Sequence, residues 1–239
     1  MPKFKTIITA FIFFLAGYFV SNLTHNTPLE SSSPNLNSAN QYNESNGFFE
    51  KLDESLNNSN ASNITALMQK NQNKILEVLQ NLPEKKINHY LEQAFPDQDI
   101  DVINDKRKFS ERLIEELNQD KDESKTLSGQ VYMSMSQSTP RYSESINQVN
   151  AQQYIYAHFD TFGKAPPNKQ VFVKWINQDT EEVVLFTPKY IVENSTQNWV
   201  SAVPPNGWKP GQYSVKFYQM TDSLTPIAQS SYTISSVQN

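Results

Sequence analysis

The chain has 239 residues, 37% of them apolar, with no cysteine and a formal charge of −5. Disulfides, zinc–thiolate centres, iron–sulfur clusters and thiol nucleophiles are therefore excluded. Residues 48–127 hold 11 basic and 16 acidic side chains, while the segments on either side balance; no basic patch is present, and nucleic acid is not expected as a partner.

The first element in chain order is apolar. Lys3 and Lys5 precede a run that reaches Leu23 and draws on Ile7, Ile8, Phe11, Phe13, Phe14, Leu15 and Phe19. A spanning helix needs about 20 mostly apolar residues, which this run narrowly supplies. The two lysines stay cytoplasmic by the positive-inside rule, and Tyr18 suits the outer interface. A cleaved signal peptide is the competing reading. Its cleavage site wants small residues, whereas Ala16-Gly-Tyr-Phe-Val-Ser-Asn22 presents bulky ones. Residues 1–23 are thus expected to be an uncleaved transmembrane signal-anchor in the inner membrane, with the bulk of the chain in the periplasm. Either reading puts that bulk outside the cytoplasm.

Residues 24–47 are dominated by Ser, Asn, Thr and Pro. Such a stretch buries too little apolar surface to offset its ordering entropy and is expected to be a disordered tether. Sequons at Asn22, Asn43, Asn57, Asn60, Asn63 and Asn194 follow from an Asn- and Ser-rich composition; in a eukaryotic secreted protein they would mark glycosylation.

Residues 48–127 form the acidic helical segment. Ile64, Met68, Asn71, Ile75, Val78 and Leu82 alternate spacings of three and four, widened by Leu67 and Leu79, which predicts an amphipathic helix capped by Ser62. Pro83 stops it and opens a second helix with Ile87, Tyr90, Leu91, Ala94 and Phe95 on one stripe, ending at Pro96. A third is predicted to begin near Asp99 to Asp101, with Val102, Phe109, Leu113 and Leu117 on its face. The stripes can pack on each other, on the C-terminal domain or on a second copy; Asn71 in the seam makes a homodimer through this segment one of the expectations. Asp97-Gln-Asp-Ile-Asp101 invites a calcium loop. Its sixth and twelfth positions are Val102 and Lys108 rather than glycine and glutamate, so that reading fails and helix capping suffices.

From residue 128 to residue 239 the period changes to two. Strands are predicted at Gln130–Ser136, Gln152–Phe159, Gln170–Asn177, Glu182–Phe186, Asn198–Val203, Gln212–Gln219 and Ile227–Ile234, which argues for an antiparallel sandwich. Val171-Phe-Val-Lys-Trp175-Ile and Trp208-Lys-Pro-Gly-Gln-Tyr213-Ser-Val215 resemble, respectively, the core-tryptophan strand and the tyrosine-corner strand of immunoglobulin-like and fibronectin-like sandwiches. Trp175, Trp208 and Tyr213 are the implied core markers. Val215 stands where antibody domains have their second cysteine, so the resemblance is to disulfide-free bacterial modules. The expected fold class is therefore multidomain, α plus all-β: a transmembrane helix, short amphipathic helices and a C-terminal Ig-like β-sandwich.

Chemistry is sparse. His158 and Asp160 share one face of a strand and would make half of an acid/base pair or metal site, or else structural hydrogen bonds. Glu181 and Glu182 alternate faces of a hairpin. There is no G-x-S-x-G elbow and no glycine-rich phosphate loop. No catalytic residue, metal or cofactor is expected. Among Trp199, Trp208, Tyr190 and Tyr218, the pair Tyr190 and Trp199 is the candidate binding surface, with core packing as the alternative. These features lead to a non-enzymatic, membrane-anchored protein that presents its sandwich to a protein partner in an envelope assembly. A glycan or small-ligand module is the second expectation, and a periplasmic hydrolase with an unconventional site at His158 and Asp160 the third.

Overall fold

The computed structural model describes residues 71–96, 98–118, 127, 129–162, 169–192 and 198–238. The anchor run, the tether and the first part of the helical segment, Ser62 included, lie outside the described residues. Among the described residues no helix is long and apolar enough to cross a membrane. The chain divides into two compact units, Met1–Asp97 and Gln98–Asn239.

The first unit contains α1 (Gln72–Asn81) and α2 (Glu84–Ala94). The expected stripes are buried: Ile75 and Leu79 on α1, and Ile87, Tyr90, Leu91 and Ala94 on α2. Pro83 separates the helices in extended backbone, and its carbonyl accepts the Lys86 amide at 2.9 Å to start α2. Phe95 closes that helix onto the Leu91 carbonyl.

The second unit opens with α3 (Lys106–Asn118). It starts later than its sequence pattern suggests. Asp99 folds its carboxylate onto the Asp101 amide in a local turn, and the cap is Asp105, whose Oδ1 accepts the Lys108 amide at 2.9 Å. Ile100 and Ile103 are buried ahead of the helix, which accounts for the apparent continuation of its periodicity.

The strands are β1 (Gln130–Ser134), β2 (Gln148–Asn150), β3 (Ile155–Asp160), β4 (Gln170–Asn177) and β5 (Val183–Tyr190). They continue with β6 (Trp199–Ala202), β7 (Gly211–Gln219), β8 (Thr225–Ile234) and β9 (Ser236–Gln238). Antiparallel sheets of order β1-β3-β6 and β5-β4-β7-β8 form a β-sandwich, and β2 pairs with β9 in parallel. Several strand ends differ from the pattern-based reading, among them that of β8, which starts at Thr225 rather than Ile227. β1 stops at Ser134 because that hydroxyl bonds both the amide and the carbonyl of Ser136, turning the chain. β3 begins at Ile155 because the Gln153 amide turns back to the Asn150 carbonyl. β5 runs through Pro188, which an edge strand tolerates.

Alternate residues of both sheets meet in one core. Val171, Val173 and Trp175 of β4 face it with Tyr213, Val215 and Phe217 of β7, and with Ile155, Ala157 and Phe159 of β3. Phe159 stacks on Phe217 between the sheets at 4.8 Å. Every residue of β4 is buried, so its outer face is covered too. The cover on that face includes α3. Phe109, Leu113, Ile114 and Leu117 of the helix are buried, with the Phe109 ring edge-on to Phe172 of β4. Lys174 and Lys216 stand directly opposite each other on β4 and β7, both buried. Lys174 Nζ donates to the Glu116 carbonyl in the last turn of α3, and Tyr218 Oη donates to Glu116 Oε2 at 2.8 Å. The negative end of the helix dipole thus meets the buried Lys174 ammonium, while the Glu116 carboxylate takes the Tyr218 hydroxyl and Arg112.

Candidate binding surface

The outward side chains of β3 and β6 build an aromatic patch. Their register sets His158 against Trp199 and Tyr156 against Ser201. The Tyr156 ring lies edge-on to Trp199 at 5.3 Å and stacks toward His158 at 6.2 Å. Lys189 Nζ, from the neighbouring sheet, sits 5.8 Å from the centre of the Trp199 ring, a cation–π contact that leaves the charge in solvent.

The four aromatic candidates separate cleanly. Trp208 is in the sandwich core, its Nε1 donating to the Gln153 carbonyl at 2.7 Å. Tyr218 is buried beneath α3. Tyr190 is 46% exposed, and its hydroxyl accepts the Asp99 amide at 3.1 Å. Trp199 is half-buried. Among the described residues no ring contact joins Tyr190 to Trp199. The residues that do meet Trp199, Tyr156 and Lys189, were missed in the sequence. Tyr156 was discoverable there, because it lies two residues before His158 on the same strand face.

His158 and Asp160 engage separate partners. His158 is 1% exposed; its Nε2 lies 3.1 Å from the Ser136 carbonyl, while Nδ1 has no protein partner. Burial pushes its pKa below 6.5, against smaller upward pulls from the Ser136 carbonyl and the Glu144 carboxylate. Asp160 is exposed and caps the Phe162 amide at 2.8 Å. Glu182 pairs with Lys209 at 2.8 Å, and Glu181 occupies left-handed backbone at the hairpin. Among the described residues no group of three or more histidine or acidic side chains is placed to hold a metal.

The core markers form a second aromatic cluster, inside the sandwich. Trp175 Nε1 donates to Tyr232 Oη at 3.1 Å, Trp208 lies edge-on to Tyr213, and Tyr213 stacks on Tyr232 at 5.4 Å. Val215 pairs with Trp175 across β7 and β4, filling the position that the resemblance assigned to a half-cystine. No protein-family model matches the chain, and no curated protein matches it.

Proposed function

We propose that this is a membrane-anchored, non-enzymatic envelope protein that displays an Ig-like sandwich in the bacterial periplasm to a protein partner. The sheet orders support the Ig-like assignment. β1-β3-β6 corresponds to strands A, B and E, and β5-β4-β7-β8 to C′, C, F and G, with Trp175 on C and Tyr213 on F. Fold alone does not assign a task. The observation that carries the reading is the contrast between the two sheets' outer faces. α3 packs on one, and the other presents Tyr156 and Trp199, which the exposed Lys189 reaches from β5 of the neighbouring sheet. Glu144 and one nitrogen of His158 are engaged in local hydrogen bonds, which favours recognition over chemistry. Lys3, Lys5 and the apolar run after them supply the anchor, and the helical segment offers a route to a homodimer.

Crosslinking in intact cells followed by mass spectrometry tests the display, and protease treatment of spheroplasts tests the topology. Reproducible capture of one envelope protein and digestion of residues 98–239 from outside are expected. Absence of a protein adduct together with saturable glycan binding would replace this reading with the glycan one, which draws on the same Tyr156–Trp199 pair. Survival of the chain until the spheroplasts are lysed would overturn the periplasmic placement.

A further inference from the structure

Two open sheets have four edge strands, and an unpaired edge offers N–H and C=O groups to any extended chain. Among the described residues, three of the four edges here are interrupted at one or more positions. The β1 edge is capped by the loop that follows it: the Glu144 amide donates to the Met133 carbonyl at 2.8 Å, while Ser143 Oγ and Glu144 Oε2 accept the amides of Met133 and Met135. Along β8, the Gly129 amide donates to the Ile227 carbonyl, and the continuation of that strand, β9, pairs with β2. On β5 the closing device is Pro188. The Ile191 amide bonds the Lys169 carbonyl, and the register alternates from there. Pro188 therefore falls where an N–H would point outward, and its ring removes that donor.

Among the described residues the β6 edge has no such device. The Phe159 amide donates to the Asn198 carbonyl at 2.7 Å, which fixes the alternation along β6. Val200 and Ala202 bond toward β3, and the backbone groups of Trp199 and Ser201 point away from it. Among the described residues no hydrogen bond reaches those groups. In immunoglobulin sheets of A-B-E-D order a fourth strand lies at this edge; among the described residues the sheet here has three strands.

We infer that the β6 edge is a docking strand for an extended, acidic segment of a protein partner. The inference rests on the display reading and names its site and mode. Backbone pairing supplies affinity in such strand addition, and flanking side chains supply selection. Lys189 beside Trp199 supplies the selection here: it attracts a carboxylate, and it disfavours a second copy because a two-fold β6–β6 pairing would bring two lysines to one contact.

The test uses the full-length chain in detergent and random peptides displayed on phage. A selected peptide is synthesised and titrated. Ser201→Pro removes one outward N–H and no bond to β3; it is expected to weaken binding about tenfold, the scale of one hydrogen bond. Ser201→Ala is expected to leave affinity unchanged, and Lys189→Glu to weaken it about tenfold. Hydrogen exchange should slow at the Trp199 and Ser201 amides when peptide binds. Binding that survives Ser201→Pro, unchanged exchange at those amides, or no selected peptide at all overturns the inference. Slowing of the same amides on concentration without peptide assigns the edge to a second copy and overturns the occupant. Unchanged exchange at Trp175 and Val215 shows that Ser201→Pro has folded. If it does not fold, Lys189→Glu and the exchange pattern decide the matter. A negative result beside crosslinks elsewhere on the unit in intact cells would leave the display reading standing.

Discussion

The hydroxyl of Tyr213 donates to the carbonyl of Lys209 at 2.9 Å and accepts the Lys209 amide at 3.3 Å. One side chain thus closes both backbone groups of the residue four positions before it, at the point where the chain enters β7. The ring below is buried between Trp208 and Tyr232. Tyr213→Phe keeps that packing and strips the hydroxyl from the amide and carbonyl of Lys209, an exposed residue. It should cost about 0.5–1.5 kcal/mol in urea unfolding, with the sandwich still formed. A cost near zero would show that the turn before β7 holds without the corner.

The α3 contacts make the helix part of the sandwich's folding unit. Leu113 is fully buried in the helix, and Lys174 reaches the last turn of α3 from the centre of the sheet. Leu113→Ala should therefore lower the stability reported by the core tryptophans, by about 2–5 kcal/mol, in a single transition. A separate, earlier loss of helix signal with the tryptophan transition unmoved would show α3 to be an independent attachment.

Local pattern revealed the elements whose causes are local. The stripe Ile87, Tyr90, Leu91 and Ala94 is set by helical spacing and the Pro83 boundary, and it is buried as read. Trp175 and Tyr213 were marked by the resemblance of their strands to those of immunoglobulin-like sandwiches, and both are buried. The pair β2 and β9 was not legible, since each has three residues and the pairing joins the two ends of the sandwich. The burial of Lys174 within Val-Phe-Val-Lys-Trp-Ile was not legible either; α3, more than fifty residues earlier in the chain, covers it. The patch was half legible for the same reason. Trp199 was named from its type, whereas its neighbours Tyr156 and Lys189 come from two other strands.

Gly207 is the glycine on which the Trp208 anchor depends. Its φ is +75°, and a Cβ there would stand 2.9 Å from the Ala151 carbonyl oxygen. That same oxygen accepts the Trp208 amide at 2.9 Å. Gly207→Ala therefore combines about 1–2 kcal/mol of left-handed strain with a backbone clash. The expected outcome is a loss of at least that size, accompanied by a red shift of tryptophan emission as the Trp208 contact loosens. A stability equal to the parent's would show that the turn can flip to accommodate the methyl group.

His158 gives the sandwich a defined response to acid. Burial depresses its pKa below 6.5, outweighing the upward pulls of the Ser136 carbonyl and Glu144. As pH falls through 6.5 the unfolded chain takes up a proton that the folded chain refuses, so folding loses ground. The stabilisation is fully present above 6.5 and is lost as pH falls through the folded-state pKa. Below that value both states carry the proton and the loss stops growing. Urea midpoints of the parent should fall between about pH 7 and pH 5, ahead of most carboxylates. His158→Gln removes the titrating group, and its midpoint should stay flatter across that range. Glu144→Gln removes an upward pull, so the loss should continue to lower pH than in the parent. The NMR titration of the His158 ring checks the same point directly. A ring that titrates at or above 6.5 would mean that the surrounding charge outweighs burial, and the acid response would then reverse in sign.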